Sequence, residues 1–507
     1  MSRVRDEFLA LRNEPVGASL LAKAMVAVRK LADVCRPLRE QARFHRVCIV
    51  LLAILSLSGC INLAPDYQRP EAPVAADWHS GTAIAGQAEA DIGWREFFLD
   101  DRLKQLQALA LVNNRDLRLA SLNIDKARAQ YRIQRAAAFP SITAEGSATS
   151  TRTPGTLSNS GVATTSHQYS ADIGLSSYEL DFFGRVQNLK DEALEDYLSL
   201  NETRRSTQIS LVAEVATAWL TLAADSQRLK LAEDTLRSQQ ATYDLTRRSH
   251  DLGGSSGLAL AQAQTTVNSA QGDAAVYRSQ ILQDQNALRL LVGAELPANL
   301  LPDDQPQAVA VLVQIPAALP SSVLENRPDV LAAEHTLKAA NMDIGVARAA
   351  FFPSISLTAS AGSASSDLSG LFKAGSGAWT FAPSISVPIF NAGSNRATLD
   401  QAKVENEIQV QTYQQTLQTA FREVADALAV RSTLAERLQA QQDLTDASAV
   451  SYRLADALYR AGSQSFLEAL DSQRSLYTAQ QDLITLKLDE QSNRISLYKV
   501  LGGGWKE

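Results

Sequence analysis

The sequence predicts an internally duplicated α+β protein with four strands and long helical hairpins, attached to a membrane. Three observations predict this fold class. An apolar run ends at Cys60, a set of residues recurs 209 positions further along the chain, and segments of alternating polarity lie between long helical segments.

The first 59 residues have the features of a secretion signal. The apolar run Val47–Leu57 has 11 residues, whereas a membrane-spanning helix needs about 20. Four arginines precede the run, at Arg36, Arg39, Arg43 and Arg46. A positive segment followed by a short apolar core favours a signal peptide over a short buried helix. The segment before the run is long for a signal, so Met25 is an alternative start.

The end of this signal resembles that of bacterial lipoproteins, through the box Leu57-Ser58-Gly59-Cys60. The resemblance implies cleavage before Cys60 and attachment of diacylglycerol and an N-acyl chain to that cysteine. Ile61, which stands where a sorting aspartate would be, implies delivery to the outer membrane. Because each buried CH₂ contributes about 0.8 kcal/mol, several acyl chains would anchor the protein stably.

The chain after the signal is acidic. Residues 1–59 hold ten Lys and Arg against five Asp and Glu, which leaves 38 basic and 50 acidic residues and a net charge of −12. Phosphate would be repelled by such a chain, so nucleic-acid binding is disfavoured. Of Cys35, Cys48 and Cys60, only the last survives cleavage, which excludes an internal disulfide.

The chain after Cys60 contains one plan twice. "RAAAFPSIT" at 135–143 returns as "RAAFFPSIS" at 348–356. Five residue types recur at an offset of 209: Tyr243 and Tyr452, Gly253 and Gly462, Leu258 and Leu467, Gln264 and Gln473, Gly293 and Gly502. This period is too long for a solenoid and indicates duplication of a half-domain.

In each half, a helical segment precedes strands. Helices are expected at about 101–138 and 328–350, and each ends at Phe-Pro because proline cannot continue a helix. Alternation in "PSISLTAS" and "FAPSISVPIF" predicts strands with one apolar face. The apolar positions are Ile355, Leu357 and Ala359 in the first and Ile385, Val387 and Ile389 in the second.

The remaining long segments have helical periodicity. Apolar residues recur every seven positions, at Val215, Leu222, Leu229, Leu236 and Tyr243. Such a repeat predicts helices packed along their length. Gly253 and Gly462 suit the left-handed residue after a helix end, so two helical hairpins are expected. Ser465 with Glu468 matches a capping box.

Four strands cannot form a lipid-facing barrel in one chain, since a single-chain barrel needs at least eight. An open sheet in lipid would leave unpaired edges, which cost several kcal/mol per group. The strands therefore lie outside the membrane, in a soluble sheet, or several chains share one barrel.

The doubled plan, "NRPDV" at 326–330 and "YRAGSQSFLEALDSQRSLYTAQQDL" at 459–483 together resemble the outer-membrane factor family of TolC-like efflux channels. The lipoprotein signal points to its NodT/OprM-like, lipid-anchored branch. The resemblance implies a homotrimer in which three chains form a 12-stranded β-barrel, continued by a long α-helical periplasmic barrel. It also implies passive conduction, with a periplasmic adaptor protein and an inner-membrane proton-driven efflux pump as partners.

These features divide the chain into five parts. They are a signal peptide (1–59), a lipid-anchored N-terminal segment (60–100), a first repeat (101–293), an equatorial linker (294–325) and a second repeat with the C-terminal segment (326–507).

The resemblance also implies functional residues at the ends of the two hairpins. The gate residues would be Leu467 as an apolar constriction, Asp471 as an acidic ring, Arg474 as a partner across chains, and Tyr459 and Arg460 as contacts to neighbouring helices. Three converging carboxylates would raise each other's pKa. The adaptor contacts would be Gly253, Gly254, Gly462 and Ser463. An ordinary solvated helix face and ordinary surface turns are the alternatives.

Signatures of catalysis or metal binding are missing from the sequence. The five histidines, His45, His79, His167, His250 and His335, have no ligand spacing, and no P-loop or G-x-S-x-G motif occurs. The carboxylates are expected on solvated helix faces. We therefore expect no enzyme and no cofactor beyond the acyl chains on Cys60. The alternative functions are the duct of an ABC-type protein secretion system and a structural coiled-coil lipoprotein without a pore.

Overall fold

The computed structural model describes residues 61–75, 93–159, 161–303, 310 and 321–503, with only the backbone described at 321–323. The predicted signal peptide, Cys60 and part of the predicted linker lie outside these residues.

The described residues form eight α-helices and four strands. The helices are α1 (Trp94–Phe97), α2 (Asp101–Asn113), α3 (Arg115–Ala136), α4 (Arg185–Asp251), α5 (Gly257–Val292), α6 (Pro328–Ala349), α7 (Ser394–Arg460) and α8 (Phe466–Val500). The strands are β1 (Thr143–Thr153), β2 (Thr164–Glu179), β3 (Ser354–Ser365) and β4 (Gly377–Ser386). Short 3₁₀ helices occur at Ala298–Leu300, Ser321–Asn326 and Leu368–Gly370.

The chain folds as two compact units. The first contains the described parts of 1–67, 131–193 and 339–407, including all four strands. The second contains the described parts of 68–130, 194–338 and 408–507, including most of the two helical hairpins, α4–α5 and α7–α8.

The first unit is built on an antiparallel sheet in the order β1-β2-β3-β4. The register gives the sheet one apolar and one polar face. An apolar row on one face consists of Ala144, Ile173, Ala361 and Trp379, and the next row, on the other face, consists of Thr143, Gly174, Ser360 and Thr380. The sheet therefore has the two-faced pattern that alternation in the sequence predicts, with β1 and β4 at its edges.

The long helices repeat at the offset found in the sequence. Helices α4 and α7 both have 67 residues and begin 209 positions apart. Glycines with positive φ precede both, at Gly184 (73°) and Gly393 (87°). Glycines with positive φ also follow α5 and α8, at Gly293 (70°) and Gly502 (83°). Because glycine adopts positive φ without a steric penalty, these residues fix where the long helices start and stop.

The core of the second unit surrounds the middle of α4. Trp219 is fully buried, and its indole N–H donates a hydrogen bond to the Leu300 carbonyl at 3.0 Å. Phe97 stacks on Tyr498 with 3.9 Å between ring centroids. Of the described helices, α4 alone has an 18-residue window that by length and composition would cross a membrane. Since 67% of that window is buried within the protein, it fits a core helix.

Three details differ from the sequence predictions. The first helical segment is broken at Asn114, whose side chain accepts a hydrogen bond from Leu117 N at 2.9 Å and so caps α3. Strand β4 ends at Ser386, opposite the first residue of β3, so Val387 and Ile389 have no partner strand in this sheet. Ser465 stands at the N-cap of α8, but its side chain makes no capping hydrogen bond, so the predicted capping box is wrong.

Candidate functional site

The turns of the two hairpins have the same backbone geometry. Gly253 and Gly462 have φ values of 78° and 74°. Gly254 N donates to Ser249 O at 2.7 Å, and Ser463 N donates to Leu458 O at 2.9 Å. These bonds satisfy carbonyls at the helix ends, as in a Schellman motif. The four predicted adaptor-contact residues are all exposed at these turns, and that role stays a prediction.

The predicted gate residues lie in the first turns of α8. Leu467 is 48% exposed, although the preceding residue, Phe466, is buried. Asp471 and Arg474 are 3.9 Å apart, and both side chains are more than half exposed. The structure thus shows this ion pair within one chain, while a ring of three carboxylates and a pair across chains stay predictions.

Tyr459 and Arg460 have partners within the chain. The Tyr459 hydroxyl lies 3.2 Å from Thr246 Oγ1 on α4, and its ring lies 5.4 Å from that of Phe466. Tyr459 also packs on a small buried cluster of Ala263, Phe466 and Leu470. Arg460 pairs with Asp456 at 2.9 Å. Tyr459 therefore joins the two hairpins, whereas Arg460 stays on its own helix.

One face of α8 carries further polar contacts to the first hairpin, which sequence reasoning missed. The contacts are Gln239 Nε2 to Gln473 Oε1 at 2.5 Å, Tyr477 Oη to Asp273 Oδ2 at 3.3 Å, and Gln481 Nε2 to Tyr277 Oη at 3.0 Å. Burial, and then the nearby Asp273 carboxylate, raise the pKa of Tyr477, which keeps this phenol protonated. Residues 473, 477 and 481 are four positions apart and therefore share one helix face. This spacing is the feature of the sequence from which the contacts could have been predicted.

The segment that follows Cys60 is fixed to the first unit. Ile61 N donates to Phe182 O at 3.2 Å, just beyond the end of β2. A Cβ on Gly184 would lie 3.1 Å from Asn62 Cα, so this glycine permits close approach of the segment. Arg348 donates to Leu63 O at 2.9 Å. Cys60 itself lies outside the described residues. The next residue, Ile61, lies beside Phe182, just beyond the end of β2.

The described residues contain no group of His, Cys, Asp or Glu side chains that could hold a metal ion.

Comparison with known proteins identifies the family. The family model "Outer membrane efflux protein" matches residues 106–294 and 319–503. The probable efflux pump outer membrane protein TtgC of Pseudomonas putida is 51% identical over 456 residues, covering 89% of this chain and 94% of the relative. The cation efflux system protein CusC of Escherichia coli is 43% identical over 459 residues, covering 89% and 97%. The open-state MtrE outer membrane channel of Neisseria gonorrhoeae superimposes with a TM-score of 0.79 at 37% identity, covering 88% and 99%. The chain belongs to the outer membrane efflux protein family.

Proposed function

We propose that this chain is the outer-membrane channel of a tripartite efflux system, which passively conducts small toxic compounds delivered by an inner-membrane pump and a periplasmic adaptor. Relatives about 50% identical are named for efflux of toluene, antibiotics and solvents. The observation that carries the proposal is the two-faced sheet with two open edges.

The apolar face of the sheet is uncovered in the single chain. On β4, Trp379 is 78% exposed, and Phe381 and Ile385 are also exposed on the same face. Lipid would cover such a face, but the unpaired edges of β1 and β4 would then cost several kcal/mol per group. Three chains pairing β1 to β4 would form a closed barrel of twelve strands, with the Ser- and Thr-rich face towards water.

A trimer would also bring together the first turns of α8 from three chains. Leu467 and Asp471 are four residues apart and share a helix face, so an apolar ring and an acidic ring would lie one turn apart. Three close carboxylates repel one another, and Arg474 is near enough to offset that repulsion. The exposed turns at Gly253, Gly254, Gly462 and Ser463 would meet the adaptor.

A lipid anchor on Cys60 fits the position of the next residue. The Ile61 amide is bonded to Phe182 O, so acyl chains on Cys60 would start beside the end of β2. Exposed Phe182 lies at the same place. The anchor would therefore enter the same membrane as the proposed barrel, on its periplasmic side.

Cysteine cross-linking between sheet edges tests the trimeric barrel. Each double variant would combine Thr149→Cys on β1 with one cysteine at a different position along β4, so that a disulfide can form between β1 of one chain and β4 of the next. We expect disulfide-linked species that end at three chains, together with ion conductance in planar bilayers. The matched control is Ala171→Cys with Ser363→Cys, which face each other within one chain and should cross-link only internally.

Cross-links that continue beyond three chains, or a protein without conductance that becomes water-soluble on Cys60→Ala, would support the structural lipoprotein instead. Pull-down from cross-linked envelopes separates the two transport functions. A proton-driven pump with its adaptor supports efflux, and an ABC transporter supports secretion.

A further inference from the structure

Two carboxylates on neighbouring helices of the second unit are buried, which contradicts the expectation that the carboxylates lie on solvated helix faces. Asp225 on α4 is 5% exposed and Asp284 on α5 is 8% exposed. Arg228 Nη1 lies 2.5 Å from Asp225 Oδ1, and Gln280 Nε2 donates to Asp284 Oδ1 at 3.0 Å. Each carboxyl therefore has one oxygen with a donor.

The other oxygen of Asp284 has no donor. Asp284 Oδ2 is buried and accepts no hydrogen bond. The Asp225 carboxyl is close enough to the Asp284 carboxyl to raise its pKa. Two ionised carboxylates held together away from water would repel each other and would leave a lone pair unsatisfied. One proton between them removes the repulsion and makes a short O–H···O⁻ hydrogen bond.

The surrounding charges do not supply a second cation for the pair. On α4, Arg228 bonds Asp225 and also donates to Thr485 Oγ1 on α8 at 2.8 Å. On α5, Tyr277 lies near Arg228 and Asp225 and brings no positive charge. A groove beside Asp284 is lined by Glu214 of α4 and Lys499 of α8, which are opposite in charge. Among the described groups, Arg228 offsets one negative charge of the pair.

The second repeat shows what a neutral side chain does at the same position. At the 209-residue offset, Asp284 corresponds to Asn493 and Asp225 corresponds to Leu434. Asn493 is also buried, and its Nδ2 donates to Ala427 O at 3.0 Å. An uncharged amide therefore packs between the long helices of one repeat, where the other repeat has a titratable acid.

We propose that Asp225 and Asp284 share one proton, and that the packing of α4 against α5 is therefore tighter at acidic than at alkaline pH. Once the pH is high enough for the proton to leave, the two carboxylates repel each other, and this part of the first hairpin opens more often. The proposal concerns the folded chain and holds whether or not the chain forms the proposed channel.

The pKa of Asp284 supports the direction of this pH dependence. Burial is the largest effect and raises the pKa of Asp284 above its ordinary 3.8; the Gln280 hydrogen bond and the Arg228 charge oppose this rise, and the Asp225 carboxyl adds to it. The folded state thus retains a proton that the unfolded state has lost. The stabilisation is complete below pH 3.8 and is lost as the pH rises through the raised pKa.

Infrared spectroscopy tests the shared proton directly. A protonated carboxyl has a carbonyl stretch separate from those of a carboxylate. The difference between the parent protein and Asp284→Asn should contain one such band, with a midpoint above 3.8. Asp244→Asn is the matched control, because Asp244 is an exposed residue of α4 that accepts a hydrogen bond from Gln240, as Asp284 does from Gln280.

Hydrogen exchange tests the consequence for packing. The opening constant of amides around 280–288 should rise with pH in the parent and in Asp244→Asn, and that rise should be lost in Asp284→Asn. A parent protein without the carboxyl band, or with equal opening across the pH range in which that band titrates, overturns the proposal. If Asp284→Asn does not fold, the test uses Asp225→Asn. Loss of the protonated-carboxyl band of the parent in that variant supports the proposal, and an unchanged band overturns it.

Discussion

The two repeats of this chain share a backbone and differ in the side chains at their tips. Both long hairpins start, turn and stop at glycines 209 residues apart. The charged pair Asp471 and Arg474 in the second repeat corresponds to Gln262 and Thr265 in the first. Tyr459 corresponds to His250. The backbone geometry is thus common to both copies, while the Asp471–Arg474 pair belongs to the second.

This difference separates the requirements of folding from those of function. Glycine at a positive φ is needed in both copies, because other residues are strained there. The acid and base at 471 and 474 are exposed and do little for folding. A change confined to one repeat therefore identifies residues whose role is tied to that hairpin.

The largest difference between the repeats is expected at their final glycines. A Cβ on Gly293 would lie 2.5 Å from the Asn113 carbonyl oxygen, whereas one on Gly502 would lie 3.5 Å from Arg327 Cγ. Both alanine variants cost about 1–2 kcal/mol for the left-handed backbone. Gly293→Ala adds a backbone clash, for a total of roughly 3 kcal/mol or more. Thermal unfolding followed by circular dichroism should rank Gly293→Ala well below Gly502→Ala, and equal midpoints would contradict this packing difference.

The elements that depend on local chemistry were predictable from the sequence. The Phe-Pro breaks, the turn glycines and the alternation in β3 all act within a few residues, and the structure has each of them. The contacts of Asp225, Asp284 and Tyr477 were not predictable. Asp225 and Asp284 are dozens of residues apart in the sequence, and Tyr477 is 204 residues from Asp273. A buried acid on a long polar helix also has the same sequence pattern as a solvated one. The capping prediction at Ser465 failed because the motif permits a hydrogen bond without requiring it.

A smaller difference is expected at the two helix N-caps. The Ser256 side chain accepts a hydrogen bond from Ala259 N at 3.1 Å, whereas Ser465 makes no such bond. Loss of a capping bond costs about 1 kcal/mol. Ser256→Ala should therefore lower the free energy of local opening at the start of α5 by about that amount, and Ser465→Ala should leave the start of α8 unchanged. Equal increases in amide exchange at the two sites would show that the two caps do not differ in solution.

The smallest effect on stability, and the one most informative about function, is expected at Asp471. Its exposed pair with Arg474 is worth about 0–1 kcal/mol, so Asp471→Ala should unfold at almost the parent temperature. If Asp471 forms part of a closed gate in the trimer, the same variant should raise the basal conductance in planar bilayers. Gln262→Ala, at the equivalent position of the first repeat, is the control and should conduct as the parent does. Equal single-channel conductance in Asp471→Ala and the parent would remove Asp471 from the gate. An equal rise in both variants would instead show that the first hairpin restricts the channel as much as the second, although it lacks the charged pair.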